Sequence, residues 1–275
     1  MNNQNESYLE GTFSSETPLG KIVAPNDLSE ENILILKAEF DSDNFLYRQI
    51  LRNPSMIIGR RGAGKTEMLL AGALSDGFDI VIYFDYMAAA NTFNHILNLI
   101  NKIVMEAGIT PEVEQVSAFW EALFWISVGN EIIHQSNELS LPQVGAIKKY
   151  LSGLNVKQRK GQGLPYDAVM NAIEAFVSEY NNKNFVVGFF GAFSRLEFDG
   201  IDFIDFKFEV VSYLEQSGKK SIILFDSIEA ADITLDIYSL LISGLIKCIG
   251  GFNSDNQSCS LRACIPAEIY FRLFE

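Results

Sequence analysis

The chain has 275 residues, of which 48% are hydrophobic and 20% are charged, and its formal net charge is −14. This is a globular composition, long enough for one large domain or for a domain with an insertion. The acidity argues against nucleic acid as a partner, and no apolar run reaches the length that we expect of a membrane-spanning helix.

The N-terminal tail and the cysteines indicate the cellular compartment and argue against a zinc site. Residues 1–30 are polar and turn-rich, which predicts a poorly ordered tail or a strap over the core, and their acidic start is unlike a signal peptide. Cys248, Cys259 and Cys264 lack metal-ligand spacing, and the chain has only 2 histidines. We therefore expect reduced, partly buried thiols in a cytoplasmic protein without zinc.

Between the tail and the first clear strand, residues 31–52 are mostly helical by their apolar spacing, although Ile33–Leu36 could instead form a strand. Asn53-Pro54 then breaks the chain, and Met56–Ile58 is a short apolar run that predicts a buried strand. After the next eight residues, Glu67–Leu74 has the composition and spacing of a helix.

The eight residues between this strand and this helix match the phosphate-binding pattern G-x-x-x-x-G-K-[ST]. They are Gly59, Arg60, Arg61, Gly62, Ala63, Gly64, Lys65 and Thr66, called the glycine loop below. Glycines let backbone N–H groups wrap a phosphate tail, and the helix N-terminus adds its positive end. We expect Lys65 to reach the β- and γ-phosphates and the Thr66 hydroxyl to bind Mg²⁺. The alternative is a glycine turn before an ordinary helix.

A second buried strand is predicted at Ile80–Phe84, followed by Asp85, which either faces a ligand or caps the next helix. The segment 88–218 is mainly helical and far longer than an ordinary connection, so we interpret it as a helical insertion or lid. Its aromatic residues, including Trp120 and Trp125, are expected in the core. Phenylalanine alternating with aspartate predicts short strands, or a hairpin around Asp199-Gly200, within 185–206.

A third apolar run, Ser221–Phe225, ends in the carboxylate of Asp226. This is the Walker B pattern: a central strand covered on both faces, with an acid at its carboxyl end that would hold Mg²⁺ near Thr66. Glu229 follows and is the candidate for orienting the attacking water. The alternative for Glu229 is an exposed acid in the first turn of a helix.

Together, residues 59–66 and 224–229 resemble the additional-strand, catalytic-glutamate branch of P-loop ATPases, and within it bacterial STAND-like and AAA-like ATPases, many of which serve in phage defence. The resemblance implies an α/β fold with a mainly parallel sheet in the order 5-1-4-3-2. Its ATPase core would comprise residues 31–87 and 219–275, and Ser260–Ile265 would be the strand that carries the sensor 1 residue.

The chain has no segment left for strand 5 after the last helix. Either it is the N-terminal part of a longer protein, or Ile33–Leu36 or a partner covers the edge beside the glycine-loop strand. In AAA-like relatives an arginine finger lies where Arg272 stands here, although an ordinary surface arginine is the commoner case.

The resemblance implies Mg-dependent ATP binding and hydrolysis that drive a conformational or oligomerisation switch, with a second copy or another protein as partner. ATP rather than GTP follows from the family, and no guanine-binding segment is present. Two alternatives stay open: a nucleotide-dependent scaffold with little hydrolysis, and a small-molecule or nucleoside kinase. The kinase is disfavoured because the segment 88–218 has only Arg159 and Arg195 to clamp a phosphoryl group.

Overall fold

The computed structural model describes residues 55–60, 63–75, 77–107, 110–135, 141–154, 197–198, 200–226, 235–255 and 257–272. Strands and helices alternate along these residues. In chain order they are β1 (Met56–Gly59), α1 (Lys65–Ser75), β2 (Ile80–Phe84), α2 (Tyr86–Ala107), α3 (Val113–Gln135), α4 (Pro142–Gly153), α5 (Phe203–Ser217), β3 (Ser221–Phe225), α6 (Leu235–Asp255), β4 (Cys259–Pro266) and α7 (Ala267–Arg272).

The four strands form one sheet, parallel throughout, in the order β1-β4-β3-β2. This confirms the order predicted for strands 1 to 4 of an α/β fold. In the described part of the chain no strand pairs with β1 on the side away from β4. The predicted cover, Ile33–Leu36, lies outside the described residues. All four strands run the same way, so their carboxyl ends share one edge of the sheet.

Helices cover both faces of the sheet, which explains why β3 is buried along its whole length. Helix α1 packs on one face, against Ile57, Ile222 and Leu224. Helices α2, α3 and α6 pack on the other face, and α4 and α5 lie beyond α3. The strand residues alternate between these two cores, so successive side chains of β2 and β3 face opposite helices.

Helix α3 is the centre of the larger core, and its two tryptophans are fully buried as predicted. Trp120 and Phe124 stack on each other, and both contact Phe225, the last residue of β3. Phe84, the last residue of β2, meets Phe124 and Phe225 at 5.9 and 5.4 Å between ring centroids. These aromatic contacts anchor the carboxyl ends of β2 and β3 to α3.

The helices of segment 88–218 that the structure describes share the sheet's own core. Residues of α2, α3, α4 and α5 belong to one apolar cluster with Ile80, Ile82 and Ile223. They contact the sheet directly through α2 and α3. Whether this segment also works as a lid stays a prediction.

Helix α6 departs from one sequence expectation. Its residues Ile237–Ser254 are long and apolar enough to span a membrane, by length and composition, whereas we expected no such run. Core helices of soluble proteins meet the same criteria. Here α6 packs along α3 and against β4, with Leu241, Leu245 and Ile249 fully or almost fully buried.

The predicted hairpin at 185–206 is wrong at its C-terminal end. An antiparallel bridge does join Phe198 to Ile201 around Gly200, but Phe203 begins helix α5. The Asp202 side chain caps this helix by accepting a hydrogen bond from the Asp205 backbone N–H at 2.8 Å. Residues 185–196 lie outside the described residues.

Candidate functional site

The glycine loop joins the carboxyl end of β1 to the N-terminus of α1. A Cβ on Gly59 would lie 3.4 Å from Lys65 Cγ and 3.5 Å from the Cβ of Ala63, so the loop turns closely over this residue. Gly64 has φ +74°, in the left-handed region that favours glycine. Helix α1 starts at the next residue, and Met68 N–H donates to Gly64 O at 3.0 Å. The local order is therefore strand, glycine loop and helix, as predicted.

Lys65 is buried although it carries a charge, with 8% of its surface exposed. Its Nζ donates to the backbone carbonyl of Arg60 at 2.9 Å, which turns the side chain back over the glycine loop. A cation held over the loop's own backbone can attract an anionic group that enters the loop. Arg60 itself is exposed, and Arg61 and Gly62 lie outside the described residues.

Thr66 and Asp226 are 160 positions apart in the sequence but contact each other in the fold. The Thr66 hydroxyl lies 2.9 Å from Asp226 Oδ2 and 3.1 Å from Oδ1, so it donates to the carboxylate. Asp226 follows β3 at the carboxyl edge of the sheet and is only 1% exposed. Its backbone N–H donates to Phe84 O at 2.9 Å, which fixes the chain just past β3 against β2. The two residues predicted to hold Mg²⁺ thus contact each other.

Tyr83 joins this pair, although the sequence analysis missed it. Its hydroxyl lies 3.3 Å from Asp226 Oδ2. Burial raises the pKa of Tyr83 above its ordinary value of 10.0, and the charges of Asp226 and Asp85 raise it further. The phenol therefore keeps its proton and is the donor. The only sequence signal is a polar-tipped residue within the apolar run of β2.

Cys264 of β4 completes the buried side of the site and was also missed. Its thiol donates to Lys65 O at 3.5 Å. Burial raises the pKa of Cys264 well above its ordinary value, and the charge of Asp226 raises it further. The charge of Lys65 lowers it. Cys264 lies in the strand predicted to carry sensor 1, so a thiol faces the site from that strand.

Asp85 follows β2 and precedes α2. Its Oδ1 accepts a hydrogen bond from the Ala88 backbone N–H at 2.7 Å, so it caps α2. This confirms the predicted cap, and a role of Asp85 toward a ligand stays a prediction. Glu229 lies outside the described residues, and its role stays a prediction. Arg272 is the last residue of α7, and its role as an arginine finger also stays a prediction.

The donor set fits Mg²⁺ better than a zinc-type metal. The described residues contain no group of three His, Cys, Asp or Glu side chains that could hold a metal ion. Mg²⁺ needs no such cage, because proteins bind it through one or two oxygen ligands while phosphates and waters supply the others. A threonine hydroxyl beside a buried carboxylate supplies those oxygens.

Comparisons of the chain with protein-family models, with curated proteins and with solved structures found no match.

Proposed function

We propose that this protein is a P-loop ATPase that binds ATP with Mg²⁺ and hydrolyses it. The observation that carries the proposal is the contact of Thr66 with the buried carboxylate of Asp226, at the carboxyl edge of a parallel sheet. A glycine turn before an ordinary helix does not require the first helical hydroxyl to meet an acid from a distant strand. A nucleotide site does, because both groups serve one metal.

Each residue then has a chemical role. The glycine loop and the N-terminus of α1 would hold the phosphates, and Lys65 would offset their charge. Thr66 and Asp226 would hold Mg²⁺, which when bound draws charge from the phosphate oxygens. Glu229 would orient the attacking water, three residues beyond Asp226.

At the level of the cell, we propose a cytoplasmic switch protein in bacterial signalling or antiphage defence. ATP binding would order the molecule for association with a second copy or another protein, and hydrolysis would reset it. This part rests on the resemblance of residues 59–66 and 224–229 to STAND-like and AAA-like ATPases. The choice of ATP over GTP rests on the same resemblance.

Replacing Lys65 by alanine tests the nucleotide site. We expect Lys65→Ala to weaken Mg-ATP binding by about 100-fold, because charge-assisted hydrogen bonds to phosphate are lost. Calorimetry with Mg-ATP measures the affinity, and circular dichroism checks the fold. Lys149→Ala is the matched control, because Lys149 is exposed on α4 away from the glycine loop. Equal ATP affinity in Lys65→Ala and the wild type would refute the proposal.

Phosphate release without an added acceptor separates the proposed function from its alternatives. An ATPase releases phosphate from Mg-ATP alone, and Lys65→Ala should abolish this release. Tight binding without release would favour the nucleotide-dependent scaffold. Turnover only with an added small-molecule or nucleoside acceptor would favour the kinase.

A further inference from the structure

A second hydroxyl reaches the buried carboxylate of Asp226 from outside the glycine loop. Thr66 approaches from α1, and Tyr83 approaches from β2. Both hydroxyls lie within hydrogen-bond distance of the same oxygen, Oδ2, at 2.9 and 3.3 Å. An ionised carboxylate has about four acceptor positions, so it can accept from both hydroxyls at once.

The register of the sheet explains why Tyr83 can reach this carboxylate. Tyr83 pairs with Leu224 in the parallel ladder, and Phe84 pairs with Phe225, the residue before Asp226. Ile82 and Phe84 belong to the core on the α3 side, whereas Tyr83 packs with the core under α1. The tyrosine therefore lies on the same face of the sheet as Thr66.

The two hydroxyls would have different roles at a bound metal ion. Thr66 would offer a lone pair of its hydroxyl oxygen to Mg²⁺ and would therefore itself be a metal ligand. Tyr83 stands on a different element and has no such task. Its O–H can keep its contact with Oδ2 while the carboxylate serves the metal. Groups that orient metal ligands in this way commonly tune metal affinity.

We propose that Tyr83 is a positioning residue that orients the Asp226 carboxylate for Mg²⁺, an inference that rests on the proposed nucleotide site. It touches neither nucleotide nor metal in this role. Its effect is on the Mg²⁺ dependence of nucleotide binding, because it acts through Asp226 alone. The affinity for nucleotide without metal depends on the glycine loop and Lys65 instead.

The test is Tyr83→Phe, which removes the hydroxyl and keeps the ring. Binding of a fluorescent ATP analogue is measured in EDTA and across a Mg²⁺ titration. We expect the Mg²⁺ concentration at half-saturation to rise by about 10-fold, with unchanged affinity in EDTA. A merely structural role would not produce this split. Tyr150→Phe is the control, because it removes the hydroxyl of a buried tyrosine that lies on α4, and we expect it to match the wild type.

Three other results would overturn the inference about Tyr83. One of them would also overturn the proposed function, and the other two would not. If wild-type binding does not depend on Mg²⁺, the proposed function fails with it. If the wild type depends on Mg²⁺ and Tyr83→Phe follows the same titration curve, only the role of Tyr83 fails. If Tyr83→Phe weakens binding equally in EDTA and in Mg²⁺, Tyr83 supports the local fold and does not position the carboxylate.

Discussion

The three cysteines are almost completely buried, and none forms a disulfide. Cys248 lies on α6, while Cys259 and Cys264 stand at opposite ends of β4. Burial raises the pKa of Cys259 to about 12, although hydrogen bonds from Ser221 and the Ser260 backbone partly oppose the shift. A protonated, buried thiol is a poor nucleophile, so these side chains behave as small core residues.

The raised pKa of Cys259 predicts a loss of stability at alkaline pH. Unfolding exposes the thiol, whose ordinary pKa is near 9.0. Between pH 9 and 12 the folded state therefore keeps a proton that the unfolded state releases, and the unfolding free energy falls as pH rises. We expect Cys259→Ser to flatten this fall by about 1 kcal/mol per pH unit.

Urea unfolding at pH 8, 9 and 10 in the presence of a reductant measures the effect. Lysines and tyrosines titrate in both proteins, so the difference in slope between the wild type and Cys259→Ser isolates the thiol. The serine variant loses stability at every pH because it fits the site less well, but this offset does not change the slope. Parallel pH profiles for the two proteins would contradict the prediction.

At the scale of elements, α6 carries glycines with opposite surroundings. A Cβ on Gly244 would lie 2.5 Å from Val116 Cγ1 and 3.2 Å from the Ser117 backbone nitrogen, because α6 crosses α3 closely there. Gly250, on the same helix, is exposed and has nothing within 4 Å of a Cβ. Gly244 is required by packing, whereas Gly250 only adds conformational freedom to the unfolded chain.

These surroundings predict alanine substitutions of opposite sign. We expect Gly244→Ala to lower the unfolding free energy by about 1–3 kcal/mol, because the helices must separate. We expect Gly250→Ala to raise it by about 0.5–1 kcal/mol, because alanine is the better helix former. Urea midpoints of the two variants measure both effects. Equal shifts in the same direction would show that the contact between α3 and α6 is not tight at Gly244.

Much of the element pattern could be predicted because buried parallel strands are short continuous apolar runs. Strand β2 has the predicted bounds. Strand β4 is one residue longer than predicted at each end, because Cys259 pairs with Ser221 and Pro266 pairs with Gly59. The failure at 198–206 has a physical reason. Phe203 and Phe206 each follow an aspartate, which resembles an alternating strand. They are three apart, however, which is helical spacing, and the Asp202 side chain caps the helix.

The residues that form the candidate site could be predicted where a local sequence pattern identifies them. Lys65 and Thr66 follow from the glycine loop, and Asp226 follows from an apolar run that ends in an acid. Tyr83 and Cys264 were not predictable, because their contacts depend on which strands are neighbours and on which face each side chain lies. A period-2 pattern specifies that faces alternate but not which partner each face meets.

At the scale of the whole molecule, β1 is an edge strand of the described sheet. Within the described residues this strand pairs only with β4, and its Ile58 is 39% exposed. An apolar strand with an unpaired side is prone to pair with another chain. The glycine loop begins at the end of this same strand, so a partner at this edge would lie beside the proposed nucleotide site.

We therefore expect self-association that depends on nucleotide. Light scattering coupled to size-exclusion chromatography should give the monomer mass of 30.7 kDa in ADP and a larger mass in Mg-ATP. Lys65→Ala should stay monomeric in both at a nucleotide concentration that saturates only the wild type, because its affinity is about 100-fold weaker. Ile58→Lys should bind ATP as the wild type does but associate less, because a charge on an edge strand opposes pairing. A wild type that binds Mg-ATP and stays monomeric would contradict this prediction, and would favour the alternative in which a segment such as Ile33–Leu36 covers β1 within one chain.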